Sequence, residues 1–334
     1  MEDRIEDVFA QYDWNVNRAY RTRGAWILET TKGLRILKNF SGKIKHLEFE
    51  HEIKESLYEN KFLLTDRFEK NKNQELLTQD TTGKQYFIKH WIQGEECNLK
   101  DLKQVREASE NLALLHEKMR NTGLEEERVY PEEKKLPFIF HKHNRELKRV
   151  FSYVKEKKQK NEFEVYFLSC FQEFYLQATE ALQILNASGY EKWMDKCVEE
   201  QHICHGSYNY HNVLMTKQGL FTTNFERAEI GLQMMDLYGF FRKVMEKNNW
   251  KLAYAKAMIE GYRKVMPLSE EEWKLFYILV LYPEKFWKVT NFYYNSKKSW
   301  ISQRNIQKLV NIKEQMKQKN VLLNEIRNFT NISL

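Results

Sequence analysis

Residues 203–226, ICHGSYNYHNVLMTKQGLFTTNFE, carry the pattern that decides the fold. Ile203-Cys204 is a short apolar run that ends at His205-Gly206, and Val213-Leu214-Met215 is a second run entered from Asn212. Lys217-Gln218-Gly219 is a turn signal, and Leu220-Phe221-Thr222-Thr223 runs back. The spacing predicts strand, loop, strand, loop. A hairpin of this kind brings the loop from Gly206 to His211 close to whatever follows Thr223. The polar residues it gathers are Ser207 and Asn212 on one side and Asn224 and Glu226 on the other.

The chain has 334 residues, enough for one large domain or two lobes. A hydrophobic content of 42%, with 14% aromatic residues, excludes disorder as the main state. No apolar run approaches the roughly 18 residues that a membrane span needs. The N-terminal MEDRIEDVFAQYDWNV is charged and amphipathic and lacks the apolar centre of a signal peptide, so synthesis and folding in a cytoplasm are expected. Cys97, Cys170, Cys197 and Cys204 form no CxxC pair and fit no zinc spacing, which predicts ordinary thiols. The net charge of +7 comes from mixed Lys and Glu rather than from a basic block. With no recognisable binding motif beside it, this charge does not imply nucleic-acid binding.

Working outward from the hairpin, residues 1–17 show helical spacing through Ile5, Val8, Phe9 and Tyr12. Residues 25–31 and 34–38 read as two strands joined at Lys32-Gly33, with Lys38 closing the second. A helix is expected from about His46 to Asn60, with Leu47, Ile53 and Leu57 buried. Strands are expected at 75–78 and 85–89. The stretch 91–97 reads as a crossover, 99–119 as a helix and 120–145 as an irregular connector containing Pro131 and Pro137. Helices are expected at 145–159 and 162–188, with Gly189 as a stop, and then at 236–246, 250–265, 269–281, 284–294 and 303–329. Ser269 followed by Glu272 is a helix-start signature.

Several motifs coincide. GLRILK (33–38), WIQGEEC (91–97), LALLH (112–116), HNRELKR (143–149), CHGSYNYHNVL (204–214), DLYGFFRKVME (236–246) and YPEKFWKVTNFYYNSKKSW (282–300) span most of the chain. In these pieces and in their order the chain resembles the choline-kinase and aminoglycoside-phosphotransferase superfamily. Within it, the chain is more similar to the CotS-like spore coat proteins of endospore-forming bacteria. The resemblance implies an α+β, two-lobed protein kinase-like (aminoglycoside phosphotransferase-like) fold. A small β-rich lobe would take residues 1–93, and a large, mostly helical lobe would take 94–334 and carry the hairpin 203–226.

It also implies roles for individual positions. In a kinase-like catalytic loop an Asp two residues after the His takes the acceptor's proton, and an Asp after the hairpin holds Mg²⁺. Here Ser207 stands in place of the base and Asn224 in place of the metal-binding Asp, while Asn212 keeps its type. The metal candidates are therefore Asn212, Asn224 and Glu226, and Asp236 is expected to anchor the following helix. Lys38 occupies the place of the nucleotide-clamping lysine, with Glu52 as first partner and Glu48 as second. Arg21 and Gly24 belong to a phosphate loop that lacks GxGxxG. ATP and Mg²⁺ are the cofactors such a site would take, and a scaffold role would need neither. The expectation is a spore coat interaction protein with impaired phosphotransfer, a pseudokinase. Its partners would be other coat proteins, with synthesis in the mother cell and deposition on the spore. An active kinase with an atypical site and a nucleotide-binding switch are the alternatives.

Overall fold

Short strands with a glycine in or just past each tight turn build the N-terminal sheet. In the computed structural model, which describes residues 3–22, 24–124, 132–295 and 303–330, helix α1 (Asp3–Phe9) precedes β1 (Val16–Thr22), β2 (Ala25–Thr30) and β3 (Gly33–Asn39). Thr30 pairs with Gly33, so Thr31-Lys32 forms the turn, and Gly33 takes φ +101°, open to glycine at little cost. Helix α2 (Ile44–Glu59) follows, then β4 (Phe68–Glu69), β5 (Thr78–Gln79) and β6 (Gln85–His90). The strand order is β1-β2-β3-β6-β4, with β5 also on β6, and every pairing is antiparallel. Leu28, Leu37, Tyr86 and Ile88 bury one face of this sheet with Val8, Tyr12 and Trp14.

The helical segment expected over 1–17 gives way to β1 at Val16. This strand eluded the pattern because six of its seven residues are exposed, so no alternation of burial marks it.

Next come β7 (Glu95–Glu96) and α3 (Leu102–Lys118). Asp101 caps α3 by accepting from the N–H groups of Lys103 and Gln104. Helix α4 (Leu136–Glu156) begins well before the expected Arg145, inside the predicted connector. Pro137 lies in its first turn, where a missing N–H costs nothing, so this proline starts a helix. Helices α5 (Glu162–Asn186) and α6 (Tyr190–Glu199) follow. Gly189, at φ +79°, separates them, and α6 was not expected.

The hairpin appears as predicted. Strands β8 (Ile203–Cys204), β9 (Val213–Thr216), β10 (Gly219–Thr222) and β11 (Glu229–Ile230) pair as β10-β9-β7 and β11-β8. The rest is helical: α7 (Met234–Lys247), α8 (Leu252–Arg263), α9 (Glu270–Leu281), α10 (Glu284–Asn295) and α11 (Gln303–Thr330). Ser269 and Glu272 form the capping box that starts α9. Pro131, Arg23 and residues 296–300 of the C-terminal motif lie outside the described residues.

Contacts divide the chain into two compact units. One joins Met1–Glu126 to Glu200–Asp236 and so holds the sheet, α2, α3 and the hairpin together. The other joins Glu127–Glu199 to Leu237–Leu334. Its core is aromatic, with Phe163, Phe167, Phe171, Phe174 and Phe286 buried. The region that is β-rich is thus N-terminal and the mostly helical part C-terminal. All four cysteines are buried thiols outside any disulfide. No helix among the described residues is long and apolar enough to cross a membrane.

Candidate functional site

The loop at 205–212 is held by one carboxylate and one imidazole. Asp236, at the start of α7, accepts the backbone N–H of His205 (2.6 Å) and of Gly206 (2.9 Å) through its two oxygens. His116 Nε2 lies 3.3 Å from the same carboxylate. Asp236 therefore anchors the loop as well as the helix it begins. His205 is fully buried. The N–H of Ser207 donates to its Nδ1 (3.1 Å), so the ring proton sits on Nε2 and is donated to the carbonyl of Thr223 at 3.0 Å. Burial presses the His205 pKa below its usual value, against the pull of Asp236, and keeps the ring neutral. One imidazole thus ties the loop to the end of β10.

Gly206 is required by shape. Its φ is +73°, and an added Cβ would lie 2.0 Å from the carbonyl oxygen of Arg227.

The polar side chains of Asn209, Asn212, Tyr208 and His211 all have partners, in the loop's backbone or beyond it. Asn209 Nδ2 (2.9 Å) and Asn212 Nδ2 (2.8 Å) both donate to the carbonyl of Ser207. The backbone of Thr223 donates to the carbonyl of Asn212. Tyr208 is buried and donates to the carbonyl of Ala108. His211 pairs with Glu96 on β7 at 2.7 Å. Ser207 carries a hydroxyl where a base would be needed, and a hydroxyl does not accept a proton near neutral pH.

A set of four buried charges lies behind the hairpin's far end. Glu50 and Lys54 on α2, Asp66 before β4 and Lys89 on β6 are all almost completely buried. Lys54 Nζ lies 2.5 Å from Glu50 Oε1, 2.8 Å from Asp66 Oδ1 and 2.9 Å from the Asp66 carbonyl. Glu50 Oε1 and the Asp66 carbonyl accept hydrogen bonds from the ammonium, and Asp66 Oδ1 adds an ion pair. Lys89 Nζ is 2.6 Å from Glu50 Oε1 and 3.7 Å from Asp66 Oδ2. Burial alone would raise the Glu50 pKa, but Lys54 and Lys89 outweigh it and lower the value to about 2. Two carboxylates and two ammoniums balance. The rings of Phe68 and Phe87 lie 4.5 Å and 4.8 Å from Lys89 Nζ and complete the enclosure.

This cluster fixes the segment after the hairpin. Asn224, at φ +70°, donates its N–H to Asp66 Oδ2 at 3.2 Å. Phe225 is buried, its ring 5.3 Å from Lys54 Nζ. Glu226 Oε1 then accepts from Lys38 Nζ at 2.9 Å.

Lys38 and Glu226 both line a cavity of about 420 Å³, together with Gly24, Lys43, His46 and Glu50. The predicted residues are therefore brought together in part. Lys38, Gly24 and Glu226 share one cavity, but the expected Lys38–Glu52 pair is replaced by Lys38–Glu226. Glu52 and Glu48 lie exposed on α2. The two-residue step from Glu50 to Glu52 turns a side chain by about 200° around a helix, so Glu50 is buried against Lys54 and Lys89 while Glu52 faces out. Arg21 lies exposed on β1, its guanidinium 4.8 Å from the Trp26 ring centroid. Glu50, Lys54, Asp66 and Lys89 were not singled out from the sequence. The signal available was the i, i+4 spacing of Glu50 and Lys54 alongside the apolar stripe of Leu47, Ile53 and Leu57.

The donor set does not suit Mg²⁺, which is usually held by one or two carboxylates. Asn212 holds the Ser207 carbonyl through its amide N–H and has only an uncharged amide oxygen to give a metal. Glu226 lies on Lys38, and Asn224 offers only a neutral amide oxygen, which is buried and accepts no hydrogen bond. No group of three or more His, Cys, Asp or Glu able to hold a metal occurs among the described residues. The cavity beside Lys38 does offer an ammonium to an anionic ligand.

The architecture is that of the kinase-like phosphotransferases. An aminoglycoside phosphotransferase from Alicyclobacillus acidocaldarius is similar to this chain with a TM-score of 0.88 at 18% identity, over 98% of this chain and 96% of that one. Spectinomycin phosphotransferase, solved with ADP and spectinomycin, is similar with a TM-score of 0.60 at 12% identity, over 95% and 98% of the two chains. These likenesses concern the fold.

Residues 5–326 match the family described as "Spore coat putative kinase YutH", and the chain belongs to that family. Spore coat protein S of Bacillus subtilis is 24% identical over 153 residues, 44% of this chain. The matched part is likewise 44% of that relative's length.

Proposed function

We propose that this chain is an interaction protein of the spore coat, built on a kinase-like fold whose phosphotransfer is impaired. One observation carries the reading. The catalytic-type loop is held in shape by Asp236 and His205, while the two positions that would do the chemistry are Ser207 and Asn224. A positioned general base contributes about 10²–10⁴-fold to rate. A metal adds several kcal/mol of charge stabilisation. An active site that lost both would keep its form and lose most of its turnover.

The family supports a place in the coat, and other coat proteins are the partners this reading assigns. Synthesis in the mother cell followed by deposition on the spore goes with it. A fluorescent fusion followed through sporulation tests the location: a ring at the spore surface is expected, and a signal that stays diffuse would remove the coat assignment. For the chemistry, phosphate transfer from ATP with Mg²⁺ is measured beside a Lys38→Ala control. No Lys38-dependent transfer is expected. A nucleotide that binds without turnover would make the protein a nucleotide-regulated member of the coat.

A further inference from the structure

Lys38 already holds an anion of the protein's own. Its ammonium lies 2.9 Å from Glu226 Oε1, and both side chains line the cavity that also includes Gly24. The α2 carboxylate that reaches the cavity, Glu50, is committed elsewhere, with its Oε1 bound by Lys54 and Lys89. The segment presenting Glu226 is fastened at each residue: Asn224 N–H to Asp66, the buried Phe225 ring near Lys54, and Glu226 itself to Lys38. A carboxylate oxygen and a phosphate oxygen are the same kind of partner for an ammonium.

We propose that Glu226 is a built-in occupant of the Lys38 anion site. A nucleoside polyphosphate enters this cavity by displacing the Glu226 carboxylate, and it does so without a divalent cation. The proposal rests on the reading of impaired phosphotransfer, since a working kinase would hold its nucleotide with Mg²⁺.

Two features make the exchange feasible. The Lys38–Glu226 pair is partly open to water, with side chains 26% and 47% exposed, so it is weak and can be opened. The charges behind it are internally balanced, so displacing Glu226 leaves no buried charge without a partner.

Cation independence follows from the same commitments. Glu50 faces two lysines, and positions 212 and 224 carry neutral amides, which leaves a metal on the phosphates no uncommitted carboxylate among them to bind.

The test is calorimetric titration of ATP into the full-length chain, once with Mg²⁺ and once with EDTA, for the wild type, Glu226→Gln and Lys38→Met. The wild type is expected to bind equally with and without Mg²⁺. Glu226→Gln is expected to bind about two- to five-fold tighter in both buffers, the gain from removing one weak competing pair. Lys38→Met is expected to lose the binding. Weaker binding by Glu226→Gln in Mg²⁺ would make Glu226 a metal ligand and overturn the proposal. Unchanged affinity, or no ATP binding by either the wild type or Glu226→Gln, would overturn it too. Phosphate transfer assayed on the same samples judges the impaired-kinase reading separately: turnover sinks that reading, whereas the sign of the Glu226→Gln effect decides the displacement.

Discussion

Two sets of ion pairs in the same compact unit are built in opposite ways. Glu50, Lys54, Asp66 and Lys89 are buried, mutually paired and enclosed by Phe68 and Phe87. Lys38 and Glu226 form a single pair at the wall of a cavity, partly open to water. The first set cannot lose a member without stranding a charge in a poorly solvated place. The second can open and close at small cost. The contrast separates what holds this fold from what a ligand can rearrange. On the proposed reading, the chain keeps the form of a phosphotransfer site while changing its charges. The acidic groups nearby, Glu50 and Asp66, are engaged by Lys54, Lys89 and the N–H of Asn224.

The largest effect should come from breaking the buried set. Lys54→Met leaves Glu50 and Asp66 short of a counter-charge, and a loss of about 3–5 kcal/mol in urea unfolding is expected. A loss below about 1 kcal/mol would mean that the cluster is wetter than its enclosure suggests. Next in size is Asp236→Ala, which strips the backbone N–H groups of His205 and Gly206 of their charged acceptor. Hydrogen bonds to charged groups are worth about 1.5–3 kcal/mol each, so a loss of at least about 2 kcal/mol is expected. The hairpin's amides should also lose protection from hydrogen exchange.

Acid titration sharpens the contrast further. The Glu50 pKa in the folded chain is lowered from 4.5 to about 2, so its contribution to stability is fully present above 4.5 and lost as pH falls towards 2. The wild type should therefore lose stability across that window more steeply than Glu50→Gln, as read by urea midpoints at successive pH values. Equal slopes would show that Glu50 is not held ionised by its lysines. The smallest effect belongs to the exposed pair. Lys38→Met should change stability by less than about 1 kcal/mol while removing the ammonium from the cavity.

Much of the fold can be read from the sequence because turn chemistry and helix caps are local. Lys217-Gln218-Gly219 sets the hairpin, and Ser269 with Glu272 starts α9. The elements that escaped are those whose local signal misleads. β1 is exposed along almost its whole length, and the proline in the first turn of α4 resembles a break. The candidate site's positions on the hairpin, Ser207, Asn212, Asn224 and Glu226, can be located from the sequence, and the structure sets Glu226 on Lys38. The site was not legible in its partners. Charged residues on a helix are ordinarily solvated, so the i, i+4 spacing of Glu50 and Lys54 beside the apolar stripe is not enough to mark them as buried next to an exposed Glu52. Only the meeting of α2, β6 and the segment before β4 does so.

The central claim is that the loop keeps its shape without its chemistry, and steady-state phosphate transfer from ATP with Mg²⁺ tests it most directly. The wild type should show no turnover that depends on Lys38, and Asp restored at both Ser207 and Asn224 should raise Mg²⁺-dependent nucleotide binding. Mg²⁺-dependent turnover by the wild type that is abolished in Lys38→Ala would contradict the account.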